Sequence, residues 1–372
     1  MQILLFDMDG VLLLSRGYHY ALQETVRRYA AGLPNRLAVD ELPASAIAAF
    51  ETAGITSEWD EAAACAVLLD IQQAAAERGY ATLPLALQDF AALADALQQT
   101  ARLTQPPLQR IEQLIFDELL PADLLDADAI QALRVKLRSA RMPGSSTYRL
   151  FQELVLGSAD YSRSYGVPSE LNTHSYLALY DVACLSDSET ADLLSWLGKP
   201  GRAAAILTAR PSQPPEGVFG TPEAELGARA IGLQSLPIAG WGGMCWLGQR
   251  FNRDPQDFLK PNAVHALTAL RLALGEPLSD ALSAAAELYL TGCCDRNWSA
   301  LHGAQVWVFE DTRSGMLSLL SAAQLLAQQG IELQTHLVGV AELALKAHAL
   351  QSLGAQVFVD LKTALRFAEV IS

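Results

Sequence analysis

The chain opens with an apolar run, Gln2 to Phe6, that leads straight into Asp7-Met8-Asp9-Gly10-Val11. A strand built from that run needs partners to bury both of its faces, as strands of parallel sheets do. Residues i and i+2 of a strand point the same way. Two carboxylates one residue apart can therefore face one point at the strand's carboxyl end, where open α/β sheets place their ligands. Close carboxylates repel unless a cation sits between them or one keeps a proton. A hard cation such as Mg²⁺ meets that need and leaves room for a phosphate. The plainer reading is a strand followed by an Asp-Gly turn.

The later part of the chain supplies the partners that such a strand needs. Ala203 to Leu207, Gln305 to Phe309, His336 to Val340 and Gln356 to Val359 read as strands, and Glu287 to Thr291 as a shorter one. Helical patterns lie between them, among them Asn262 to Leu274 and Leu343 to Leu353. Strands alternating with helices imply right-handed crossovers and a parallel sheet. Residues 15–195, by contrast, are rich in Ala, Leu and Gln, which favour helix. Apolar stripes at helical spacing run through Leu83, Leu87, Phe90, Ala94 and Leu97, through Ile111, Leu114, Ile115 and Leu119, and through Tyr148, Phe151, Leu154 and Val155. The spacing predicts a Rossmann-like α/β core of residues 1–14 and 196–372, with a large helical cap, 15–195, inserted after the first strand.

Charge and composition narrow the partners. A net charge of −15 argues against nucleic acid or an anionic membrane surface. It leaves room for a small anionic substrate, whose charge a local cation and a few basic groups can offset. No apolar run approaches the ~20 residues of a membrane span, and no basic region precedes the first strand, so a cytoplasmic protein without a secretory signal is expected. Five scattered cysteines do not suggest a disulfide framework. Cys293-Cys294-Asp295 with His302 nearby lacks a second paired-ligand motif, and buried thiols in a reducing compartment are the expectation.

Four segments, in order, resemble the haloacid dehalogenase superfamily in its phosphatase and phosphoglucomutase branch. Asp7-Met8-Asp9-Gly10-Val11 resembles the first motif. Ile206-Leu207-Thr208-Ala209-Arg210 resembles the second, a strand ending in a hydroxyl residue. Lys260-Pro261 at a helix start resembles the third, and Phe309-Glu310-Asp311-Thr312-Arg313-Ser314-Gly315-Met316 the fourth. The matches cover the first ten or so residues and the last ~175 on the motif logic of ordered sets; the helical insertion resembles the family's cap in position only. Many members carry a second acidic residue four or five positions after the last aspartate. Here those positions hold Gly315 and Met316, and the adjacent Glu310-Asp311 pair is the candidate substitute.

Chemistry and resemblance assign the same tasks. Asp7 attacks phosphorus and becomes an aspartyl phosphate. Asp9 protonates the leaving oxygen and then takes a proton from water, an acid that dehalogenase chemistry does not need. Mg²⁺ is expected on Asp7, the backbone carbonyl of Asp9 and Asp311, with Glu310 either holding it through water or facing away. Thr208 donates to a phosphoryl oxygen or, alternatively, caps its turn. Lys260 neutralises phosphoryl charge and holds Asp7; Lys199, also before a proline, is its fallback. Backbone amides of Met8 and Ala209 complete a phosphate cradle, and Arg210 either reaches substrate or pairs with an acidic neighbour.

Two further segments stand out. Gly144-Ser145-Ser146-Thr147-Tyr148 reads as a helix start able to cap itself or hold an anion. Gly240-Trp241-Gly242-Gly243-Met244-Cys245-Trp246 reads as a flexible aromatic loop at the site's mouth or against the sheet. The leading function is a Mg²⁺-dependent phosphohydrolase acting on a small phosphorylated metabolite. The alternatives are a phosphotransferase or mutase and a non-catalytic binding protein on the same fold.

Overall fold

The computed structural model describes residues 1–34, 42, 44–55, 57–80, 82–99 and 106–371. The chain forms two compact units, Met1–Ser15 with Tyr180–Ser372, and Arg16–Leu179. The segment 180–195, which sequence reading leaves in the helical insertion, belongs with the sheet.

The first unit contains eight strands: β1 (Gln2–Phe6), β2 (Leu13–Leu14), β3 (Val182–Ala183), β4 (Arg202–Leu207), β5 (Ile238–Ala239), β6 (Gln305–Glu310), β7 (Gln334–Val340) and β8 (Gln356–Phe358). Six form one parallel sheet in the order β5-β4-β1-β6-β7-β8. The chain therefore builds outward from β1 on one side, then crosses to β6 and builds outward on the other. Such a reversal opens a crevice at the carboxyl ends of the central strands. β1 lies between β4 and β6, with Phe6 opposite Ile206 and Phe309. The short β2 and β3 pair antiparallel, so the insertion leaves and returns by neighbouring strands.

The apolar run of β1 is buried because both faces are covered. Ile3, Leu5, Ala205, Leu207, Val306 and Val308 face one core, filled by helices Trp241–Phe251, Ala263–Ala273, Leu278–Thr291 and Arg313–Gln328. Leu4, Phe6, Ala204, Ile206 and Phe309 face the other, with helices Asp187–Leu197, Glu223–Ala230 and Leu361–Phe367. The rings of Phe6 and Phe309 stack at 4.9 Å across the two strands.

Several expectations change. Glu287 to Thr291 ends the helix Leu278–Thr291, whose buried Ala281, Leu282, Ala285 and Leu288 keep a helical period. Residues 240–246 are not a loop: Gly240 caps helix Trp241–Phe251, Gly242, Gly243 and Met244 are buried, and the Gly242 N–H donates to Ser212 Oγ at 3.1 Å. β5 has only two residues and too little apolar run to show in the sequence. The stripe from Leu83 is split into a turn, Leu85–Leu87, and a helix, Phe90–Gln99; Pro84 stands at the start of that turn. Ser145 precedes helix Ser146–Tyr165, yet its hydroxyl bonds Thr147 Oγ1 at 3.0 Å rather than a helix N–H. The thiols are free, and only Cys65 is buried; Cys293 and Cys294 are exposed. Asp295 pairs with Arg271 at 2.8 Å, not with a metal group. No described helix is long and apolar enough to cross a membrane.

In the helical unit, Trp59 packs edge-on against Phe151 at 5.1 Å. Beside Trp59, in helix Glu58–Glu77, Glu61 is 1% exposed and its Oε2 finds no hydrogen-bond partner among the described residues. Burial first, and then the charges of Glu58, Glu51 and Asp60, push its pKa up to about 9. The folded protein therefore keeps a proton that the unfolded chain releases above pH ~4.5, and stability falls as pH rises from there to about 9. At pH 7 the cost is at most roughly 3 kcal/mol. Glu61→Gln should raise the melting temperature, with a gain that grows between pH 5 and pH 8. A gain independent of pH in thermal melts would show that Glu61 is not held neutral.

Candidate functional site

The site forms where β1, β4 and β6 end. The ladder continues one step past β1, because the Asp7 N–H donates to the Phe309 carbonyl at 2.9 Å. That bond fixes the Asp7 backbone beside the end of β6, where Glu310 and Asp311 follow. One carboxylate oxygen from each of Asp7, Glu310 and Asp311 lies within 4.8 Å of the other two. Asp7 and Glu310 are buried, and Asp311 is partly exposed.

Lys260 enters this acidic group. Its Nζ lies 2.9 Å from Asp7 Oδ1 and 2.8 Å from Glu310 Oε1, with the side chain 8% exposed. Burial alone would lower its pKa, but Asp7 and then Glu310 outweigh it and hold the ammonium above its ordinary value. Lys260 precedes helix Ala263–Ala273, which Asn262 caps by accepting from the Val264 N–H at 2.8 Å. His265 in the first turn of that helix anchors Lys260 from behind. The Lys260 N–H donates to His265 Nδ1 at 3.1 Å, and Nε2 lies 3.0 Å from the Ala239 carbonyl at the end of β5. Nδ1 accepts, so Nε2 carries the proton. Burial and the Lys260 charge push the His265 pKa down to about 3, so the ring stays neutral. Lys199 is exposed before the amino end of β4 and plays no part here.

Glu310 does not face away. Its Oε2 accepts from Thr312 Oγ1 at 2.8 Å while Oε1 takes Lys260. The helix Arg313–Gln328 makes room for it: a Cβ on Gly315 would fall 1.6 Å from Glu310 Oε1. The carboxylate of Glu310 thus fills the space that a side chain at 315 would take. Gly10 is equally constrained, with φ +75° and space for a Cβ only 2.7 Å from Asp311 Oδ2.

Asp9 lies past the end of β1 at Phe6, within electrostatic reach of Asp7 and Lys260. Its carboxylate pairs with Arg210, accepting from Nε at 2.8 Å and lying 2.6 Å from Nη2, and it accepts also from Ser15 Oγ. Arg210 is itself buried and reaches Asp181 with Nη1 at 3.0 Å. Burial works to raise the Asp9 pKa, but Arg210 overcomes it and holds the carboxyl below its usual range. Asp7 is driven the other way. Burial, then the charge of Glu310, raise its pKa well above the ordinary value, against the pull of Lys260.

The remaining expected groups are placed as follows. Thr208 is fully buried, and its Oγ1 accepts from the Arg210 N–H at 3.1 Å, a turn-capping bond that leaves the hydroxyl proton for donation. The Met8 N–H donates to Asp7 Oδ1 at 2.8 Å. Ala209 is exposed in the turn after β4. Sequence reasoning missed His265, Thr312, Asp181 and Lys346, whose Nζ lies 2.7 Å from Asp311 Oδ2. Of these, only Thr312 stood inside a recognised segment.

No family model and no curated protein matches the sequence. The fold is similar to that of an X-ray structure from the Northeast Structural Genomics Consortium, its target ZR25, at 18% identity and a TM-score of 0.55. The superposition covers 99% of this chain and 98% of that one.

The space over Gly315 gives a direct test of the Glu310–Lys260 contact. Gly315→Ala should push the Glu310 carboxylate off Lys260 and destabilise the protein by about 2 kcal/mol, the scale of overpacking a buried site. Urea denaturation checks this, and wild-type stability would mean that Glu310 moves aside at no cost.

Proposed function

We propose that the chain is a divalent-metal-dependent phosphohydrolase acting on a small phosphorylated metabolite, with Asp7 as nucleophile. The observation that carries this reading is the clustering of the Asp7, Glu310 and Asp311 oxygens within 4.8 Å at the carboxyl ends of central strands. Hard carboxylate oxygens in such a group fit Mg²⁺. Asp7 and Asp311 would hold it, with Glu310 shared between the ion and Lys260. When bound, the ion would neutralise charge on the phosphoryl oxygens as an anionic nucleophile approaches.

The protein's own groups divide the work. Asp7, fixed by the Phe309 carbonyl and by Lys260, attacks phosphorus; the P–O bond to the leaving group breaks and an aspartyl phosphate forms. Lys260 stabilises charge that grows on the phosphoryl group. Thr208 donates its hydroxyl proton to a phosphoryl oxygen, and the Met8 N–H turns from Asp7 to the same group. Ionised Asp9 suits the second half of the reaction, where it takes a proton from the water that cleaves the intermediate. To protonate the leaving oxygen in the first half, Asp9 must first part from Arg210, whose guanidinium then has a phosphoryl oxygen as its natural partner. Arg210 thus links phosphate binding to the protonation of Asp9.

Hydrolysis of p-nitrophenyl phosphate with Mg²⁺ tests the reading, and phosphorus NMR on a sugar-phosphate panel distinguishes release of phosphate from its transfer. Asp7→Asn should abolish turnover with the fold intact by circular dichroism; activity above a few per cent would remove Asp7 as nucleophile. Asp9→Asn should let the phosphoenzyme accumulate under rapid quench, because breakdown loses its base. If no intermediate is trapped, Asp9 does not have that role.

A further inference from the structure

Three carboxylates meet at Asp7, Glu310 and Asp311, and two ammonium groups already touch them. Lys260 is buried and takes Asp7 and Glu310. Lys346 takes Asp311 at 2.7 Å, with its own side chain 51% exposed and that of Asp311 13% exposed. The two lysines differ in what holds them. Lys260 is locked by His265 and by two carboxylates. Lys346 comes from helix Ala344–Gln351, which starts without a capping side chain or an acidic residue in its first turn. A cation in a helix's first turn opposes the helix dipole, so local structure does not favour a lysine there. Residues 342–346 are all exposed, and Leu350 is the buried residue of the helix. A segment with so little burial can shift at low cost.

We propose that Lys346 is a resident counter-ion of the acidic group, seated on Asp311 and displaced from it when a divalent cation binds. This rests on the reading of Asp7, Glu310 and Asp311 as a divalent-ion site. The argument is one of charge and place. An ammonium and a metal ion compete for the same carboxylate, and Oδ2 of Asp311 is the oxygen that Lys346 holds. The displaced ammonium has somewhere to go. A cavity of about 350 Å³ beside Asp311 is lined by Lys346 itself, by Glu342 and Asp360, and by Val340 and Leu361. Glu342 and Asp360 offer it a second carboxylate environment. Lys346 therefore sets the metal affinity of the site by stabilising the metal-free state, while Lys260 stays in place in both states.

Calorimetric titration of metal-free protein with MgCl₂ tests this on wild type, Lys346→Met and Lys346→Arg. Lys346→Met should bind Mg²⁺ about fivefold more tightly, and Lys346→Arg should stay within about twofold of wild type, the scale of one partly exposed ion pair. Metal-free Lys346→Met should also melt lower than wild type, with the difference removed by saturating Mg²⁺. Equal or weaker binding by Lys346→Met overturns the inference. If wild type binds Mg²⁺ and cleaves p-nitrophenyl phosphate yet Lys346→Met binds no more tightly, only the role of Lys346 falls. If neither protein binds Mg²⁺, the metal-dependent reading falls with it.

Discussion

The ammonium of Lys260, seated between Asp7 and Glu310, is the contact on which the site's geometry depends. A buried charge is costly unless it is paired and hydrogen-bonded, and this one holds together groups that would otherwise repel. Asp7 follows β1, Glu310 ends β6, and the backbone of Lys260 is tied through His265 to Ala239 in β5. One cation thus fixes the relative positions of three strand ends. The neutral imidazole between Lys260 and Ala239 adds no charge of its own to a crowded site, and burial keeps it so.

Around that centre, one short segment gives two carboxylates opposite properties. Asp7 lies buried beside another carboxylate and is pushed up; Asp9 lies against a guanidinium and is held low. Environments that drive neighbouring carboxyl groups apart are how acid, base and nucleophile are distinguished in enzymes. Asp181 has a part in this, because it takes the other side of the Arg210 guanidinium and so steadies the partner of Asp9.

Much of this frame was legible in the sequence. The parallel sheet follows from apolar runs too short for helices and spaced by helical patterns, and β4, β6, β7 and β8 lie within a residue or two of those runs. Asp7, Lys260, Glu310 and Asp311 come together because each stands at the end of a strand or the start of a helix, where sequence pattern fixes position well. What pattern cannot give is the partner that a side chain finds after its strand has ended, such as the pairing of Asp9 with Arg210. His265 and Lys346 were invisible for another reason. They act through contacts between segments separated in sequence, and nothing local in Ala263–Ala273 or Ala344–Gln351 signals such a partner. Glu287 to Thr291 misled because five residues at the end of an amphipathic helix have too few neighbours to reveal a period.

The order of the sheet also governs how the polypeptide can acquire its shape. β1 precedes both of its neighbours in the sequence, residues 202–206 and 305–309. Both pairings span hundreds of positions, the kind of long-range closure that slows folding. During synthesis residues 16–179 emerge before either neighbour, so β1 waits, apolar and unpartnered, until the rest of its own unit follows. A polypeptide cut short before β6 would keep that strand exposed along one edge. The carboxylates of Asp7, Glu310 and Asp311 can meet only once β6 has paired with β1, so their grouping is a late product of the sheet's order.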